Sequence, residues 1–105
     1  MKTSSRALLW TPRLILVIAQ KWAERKRRIL IIVPANLRKQ WHQELQEKFG
    51  VEGHILESAS FNKAIKAGVK NPFDIGDGLV ICSYQFASAK ADALRMIPWD
   101  LSVID

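Results

Sequence analysis

Apolar residues recur along this chain in two alternating rhythms. Leu14, Val17, Ile18, Trp22 and Ala23 fall three or four apart and line one face of a predicted helix. That helix closes on Glu24-Arg25-Lys26-Arg27-Arg28, where cations suit the negative end of the helix dipole. Ile29 to Val33 is an unbroken aliphatic run, mostly β-branched, and predicts a strand buried on both faces, as in a parallel sheet. Pro34 and Ala35 close it. Asn36 then suits the N-cap of a helix whose stripe is Leu37, Trp41, Leu45 and Phe49 and whose end is Gly50. Further along, the pattern predicts a strand at His54 to Glu57, a short helix at Phe61 to Ala67 and a loop through Asn71-Pro72 and Gly76-Asp77-Gly78. A strand follows at Leu79 to Cys82. A helix over 87–96 should face Ala87, Ala91, Leu94 and either Met96 or Ile97 inward until Pro98, before a last strand at Leu101 to Ile104. Strands alternating with helices give an α/β fold with a parallel sheet and helices on both faces. Residues 1–13 have no period and read as an irregular leader, so the domain is expected over 14–105.

Composition narrows this picture. The 105 residues, 49% hydrophobic and 25% charged, suit one globular domain and exclude a multidomain enzyme. Cys82 is the sole cysteine, which leaves no disulfide framework or Cys-rich metal site and fits a reducing, intracellular (cytoplasmic) setting. Leu14 to Ala19 is too short an apolar run to span a membrane. Residues 1–39 carry ten basic side chains against Glu24, whereas residues 40–105 carry six basic and nine acidic ones, so the front is near +9 and the rest near −3. Such a field points to a polyanion, nucleic acid before membrane, or else to a solvated charged face.

In open α/β sheets, sites form beyond the carboxyl ends of the strands. The residues there are Pro34-Ala35-Asn36, Ser83-Tyr84-Gln85 and Asp105. A carboxylate at the tip of a buried strand is costly unless it meets a cation, which makes Asp105 a candidate magnesium ligand; otherwise it is an Asp in water. His42, His54 and the distant Cys82 match no metal spacing, and a thiol inside a buried strand reads as inert.

Three stretches carry a family resemblance. Ile29 to Trp41, with its aliphatic strand, Val33-Pro34, Leu37 and Gln40-Trp41, resembles motif Ia of the second helicase superfamily in its SWI/SNF-related form. Leu79 to Gln85 is similar to the family's strand with a Ser/Thr-Tyr-Glu motif, with Gln85 in place of Glu. Trp99 to Asp105 looks like the strand entering the DExH box and reaches that box's first Asp. The resemblance implies a RecA-like ATP-binding domain, here incomplete, from an ATP-dependent helicase or DNA translocase. It also implies ATP and magnesium as the parent family's cofactors, with Asp105 holding the magnesium. Pro34, Ala35, Asn36 and Leu37 would then lie where motif Ia meets the phosphate backbone, with Arg38 and Lys39 close by and Ser83 and Tyr84 on the same face. Trp41 shares the helical stripe of Leu37 and Leu45 and reads as core, not as a stacking platform.

A Gly-rich loop ending Gly-Lys-Ser/Thr, which would cradle the phosphates, is missing from the 105 residues. Lys2-Thr3 follows Met1 without strand or glycines, and Gly76-Asp77-Gly78 opens a strand where a helix is needed. The expectation is a truncated helicase fragment that does not hydrolyse ATP alone, binds nucleic acid, DNA ahead of RNA, and self-associates through open sheet edges. A free-standing basic nucleic-acid-binding module without catalysis, or a protein-interaction fragment, are the alternatives.

Overall fold

The computed structural model describes residues 16–18, 20–25, 28–51, 53–75 and 78–104, without the side chains of Lys48 and Phe49. The expected leader, the Lys26-Arg27 part of the cationic run, Gly76-Asp77, the Phe49 side chain and Asp105 lie outside the described residues. Four strands, β1 (Arg28–Val33), β2 (Gly53–Ile55), β3 (Gly78–Ser83) and β4 (Leu101–Ile104), form one sheet in the order β2-β3-β1-β4. Every pairing is parallel, with Ile31 opposite Ile81 on one side and Val103 on the other. Helices α1 (Arg38–Phe49), α2 (Ser58–Lys66), α3 (Tyr84–Ala89) and α4 (Ala91–Arg95) fill the connections, and residues 16–18 and 20–23 are also helical.

The sheet divides two apolar cores of different character. Alternate side chains of β1 and β3 (Ile29, Ile31, Val33, Leu79, Ile81) meet Leu37, Trp41 and Leu45 on one face, together with Ile18. Leu30, Val80 and Cys82 point the other way into an aromatic cluster. In it Phe73 lies 6.0 Å from Phe61, 5.8 Å from Phe86 and 6.4 Å from Trp99, centroid to centroid. Burial on both faces is why these strands read as continuous apolar runs.

Connectivity follows from the faces. From β1 the chain passes through α1 on the aliphatic side to β2, two positions away. It then returns in the opposite direction through α2, α3 and α4 on the aromatic side. Reversing direction and face together is what crossovers of one hand require.

Several expectations shift. The first helix buries Ile18 and partly Trp22, while Val17 is 42% exposed and Ala23 is also exposed, contrary to the predicted stripe, whose first member, Leu14, lies outside the described residues. The second strand ends at Ile55, and Glu57, still extended (φ −142°, ψ 175°), serves as the N-cap of α2, its N–H donating to Ser60 Oγ at 3.0 Å. Helix 87–96 is two pieces: Ser83 caps the first, and Lys90 leaves helical geometry (φ −114°, ψ 29°) with its Nζ 4.7 Å from the Phe61 ring centroid. Of the alternatives Met96 and Ile97, Ile97 is the buried one. Gly50 closes α1 as expected, at φ 63°, a conformation that costs a glycine little.

Candidate nucleic-acid interface

β1 and β3 are neighbours whose following helices leave on opposite faces, so the chain parts beyond their carboxyl ends. A crevice at such a reversal is where open α/β sheets bind ligands. Three adjoining cavities occupy this edge. One of about 310 Å³ is lined by Pro34, Ala35, Ser83, Tyr84 and Gln85. A second, about 360 Å³, includes Asn36, Arg38, Lys39 and Ile55. A third, about 350 Å³, lies between Arg38, Ser58 and Phe86. Two stretches almost fifty residues apart in sequence thus meet here because β1 and β3 pair in register, Val33 beside Ser83.

Local geometry sorts the residues. Pro34 (φ −55°, ψ 142°) turns the chain out of β1 into a single 3-10 turn, Ala35–Leu37, closed by Leu37 N–H donating to Pro34 O at 2.9 Å. Asn36 therefore lies inside that turn and is not the expected N-cap; Leu37 holds that position without a side-chain hydrogen bond. The proline, which fixes φ, starts the turn at Ala35, two residues too early for Asn36 to cap. Ala35, Asn36 and Lys39 are exposed. Leu37 is 5% exposed, so its side chain belongs to the core and only its backbone borders the edge. Ser83 is buried too, and its hydroxyl accepts from Phe86 N–H at 3.1 Å, which starts α3. Tyr84, at 41% exposure, is the member of this pair free to meet a ligand.

Arg38 is held from two sides. Its Nε donates to Ala35 O at 3.0 Å and its Nη1 donates to Glu57 Oε2 at 3.1 Å. Lys39 has no ion-pair partner among the described residues. Cys82, one residue inside the edge, is fully buried, and burial pushes its thiol up to about 11, against a smaller downward pull from Arg38. It is inert for nucleophilic chemistry at neutral pH. Glu57 was missing from the residues singled out in the sequence; the carboxyl-end rule would have nominated it had the strand been ended at Ile55.

No group of three His, Cys, Asp or Glu gathers among the described residues, and Asp105 lies outside them. His42 Nε2 donates to Gly53 O at 2.9 Å, a packing role. Gly78 is dictated by crowding: a Cβ there would collide with the Ile75 side chain. No backbone cradle for phosphate follows from that glycine.

No protein-family model matches the chain. Among curated proteins, it is 31% identical over 94 residues to the RNA polymerase-associated protein RapA of Yersinia pestis (strain Pestoides F) and of Yersinia pseudotuberculosis serotype O:1b (strain IP 31758). These matches cover 87% of this chain and 10% of each RapA. This similarity agrees with the resemblance of Ile29–Trp41, Leu79–Gln85 and Trp99–Asp105 to the SWI/SNF-related helicases. The all-parallel four-stranded sheet with helices on both faces is compatible with an incomplete RecA-like domain. The chain spans about one tenth of the length of the relatives it matches. No helix among the described residues is long and apolar enough to cross a membrane.

Proposed function

We propose that this chain is the part of an ATP-dependent helicase or DNA translocase that touches the nucleic-acid backbone, through the carboxyl edge of β1 and β3. One observation carries the reading: Pro34, Ala35, Asn36, Arg38, Lys39 and Tyr84, selected from two separate motifs, surround adjoining cavities at one end of the sheet. Phosphate contacts of this kind fix register and orientation without reading sequence. DNA is the proposed substrate ahead of RNA, in an intracellular setting, and the name of the RapA relatives is in keeping with work beside a polymerase.

No nucleotide-driven step is assigned to these residues. A Gly-Lys-Ser/Thr loop does not occur in the 105 residues, and phosphoryl transfer depends on positioning and charge neutralisation of that sort. The proposal is therefore binding without ATP hydrolysis by this chain alone. Self-association is proposed at β4, a terminal strand of the sheet on which Ile104 is 67% exposed.

Fluorescence anisotropy with single- and double-stranded oligonucleotides tests the reading. The expected dissociation constant is on the order of 10⁻⁴ to 10⁻⁶ M at physiological salt, independent of sequence and weakening steeply as salt rises. Absence of binding at low salt, or phosphate release from ATP stimulated by nucleic acid, overturns it.

A further inference from the structure

Arg38 and Glu57 line both of the two larger cavities at the carboxyl edge, so the ion pair between them is a shared wall. On one side lie Asn36, Lys39 and Ile55; on the other lie Ser83, Gln85 and Phe86. Arg38 opens α1, which packs on the aliphatic face, and Glu57 caps α2, which packs on the aromatic face. The pair thus bridges the crevice where the two helical layers part.

Its chemistry makes it exchangeable. A guanidinium has five N–H donors, and Arg38 directs one to Ala35 O and one to Glu57. The Glu57 side chain is 53% exposed, so water competes for it and the pair is weak. A phosphate offers the same charge and a geometry that a guanidinium fork matches in two places. Among the described residues, Glu57 is the one anion that holds Arg38 away from a backbone phosphate entering either cavity.

The geometry points to Glu57 as an internal competitor for the nucleic-acid backbone. Without ligand, Glu57 holds Arg38 across the crevice and keeps two cavities apart. When nucleic acid binds, a phosphate replaces Glu57 on Arg38, the cavities merge into one groove, and the carboxylate returns to water. The inference rests on the nucleic-acid reading of this edge and adds what limits its affinity. It has a thermodynamic signature: Arg38 exchanges one anion for another and the freed Glu57 takes up a cation, so in the native chain Arg38 adds little to counterion release.

The experiment is anisotropy of a labelled oligothymidylate against the 105-residue chain over a range of salt. Glu57→Gln keeps the size of the side chain and removes its charge. It is expected to tighten binding by up to about fivefold, the upper end set by a surface ion pair, and to steepen the slope of log K against log salt by about 0.7, one extra phosphate on a single strand. In an Arg38→Ala background the same substitution is expected to change nothing. Asp92→Asn removes a charge from an exposed pair with Arg95 on α4 and is expected to leave affinity and slope alone. Glu57→Ser, which retains a capping residue for α2, carries the same expectation should Glu57→Gln fail to fold. Equal affinity of Glu57→Gln and the native chain, or an equal gain with Arg38→Ala, overturns the competitor while leaving the interface standing. Absence of binding by the native chain and by Glu57→Gln at low salt overturns both.

Discussion

The two ends of the strands treat charge in opposite ways. At the amino ends the charged groups close on one another. Arg28 Nη1 donates to Asp74 at 2.8 Å, Arg28 N–H donates to Asp100 Oδ2 at 3.0 Å, and Asp100 N–H returns to Arg28 O at 2.7 Å. Trp99 Nε1 and Asn71 Nδ2 then satisfy the carbonyls of Leu94 and Ala93. At the carboxyl ends, by contrast, Lys39 is unpaired among the described residues, Arg38 meets one exposed carboxylate, and cavities adjoin both. The positive front half of the sequence is therefore not one patch. Arg28 belongs to a structural clamp, whereas Arg38 and Lys39, ten residues on, stand at the opposite end of the same strand.

The largest expected effect removes the support common to both ends. Phe73 packs against Trp99 near the amino ends and Phe86 behind the carboxyl ends, and it is 1% exposed. Phe73→Ala should cost about 3 to 5 kcal/mol, a large share of the roughly 5 to 15 kcal/mol typical of a domain. Urea unfolding followed by fluorescence measures it. A loss under about 1 kcal/mol would mean that the two ends are held independently of this cluster.

Next is the dryness of the sheet just inside the carboxyl edge. The Cys82 thiol is raised from 9.0 to about 11 by burial, so the folded state favours the protonated form. Its contribution is fully present below pH 9 and is lost as pH rises from 9 to 11, where the unfolded chain ionises first. Two pH units correspond to at most about 3 kcal/mol. Stability measured against pH should fall less steeply across that window in Cys82→Ala than in the native chain. Equal slopes would show that water reaches the thiol and that the crevice is deeper than its lining indicates.

Asp100→Ala should cost about 1 kcal/mol, the worth of an ordinary hydrogen bond at an exposed site, while leaving oligonucleotide affinity unchanged. Lys39→Ala should do the reverse. Its unfolding free energy should stay within about 0.5 kcal/mol of the native value, as for most surface changes, and the salt slope of binding should fall by about 0.7 to 0.9 for one lost phosphate contact. If Asp100→Ala weakens binding as much as Lys39→Ala, the division between structural and ligand-facing charge fails.

Much of the fold was legible before any coordinates because burial on both faces leaves an unmistakable signature. Ile29–Val33 and Leu79–Cys82 could hardly be anything but central parallel strands, and they pair with each other. Shorter elements were less legible where one side chain decides a boundary. Nothing in the apolar spacing shows that Glu57 and Ser60 start α2 three residues ahead of Phe61, or that Lys90 interrupts the helix after β3. At the candidate site, the motifs brought out Pro34 to Lys39 with Ser83 and Tyr84, but not which of them face outward.

That last distinction belongs to the tertiary structure. Hydrophobic periodicity is local, so the sequence alone determined strand order in time, the apolar stripes and the positions of the carboxyl ends. Which strands become neighbours depends on crossover hand and on which face each helix covers, and these bring Val33 beside Ser83 and Arg38 within 3.1 Å of Glu57, nineteen residues away. The same packing buries Leu37 and turns the Ser83 hydroxyl inward to begin α3, leaving Asn36, Lys39 and Tyr84 outside. Exposure and charge pairing are properties of the assembled sheet edge, because a side chain's partners there come from strands that meet only when the sheet closes.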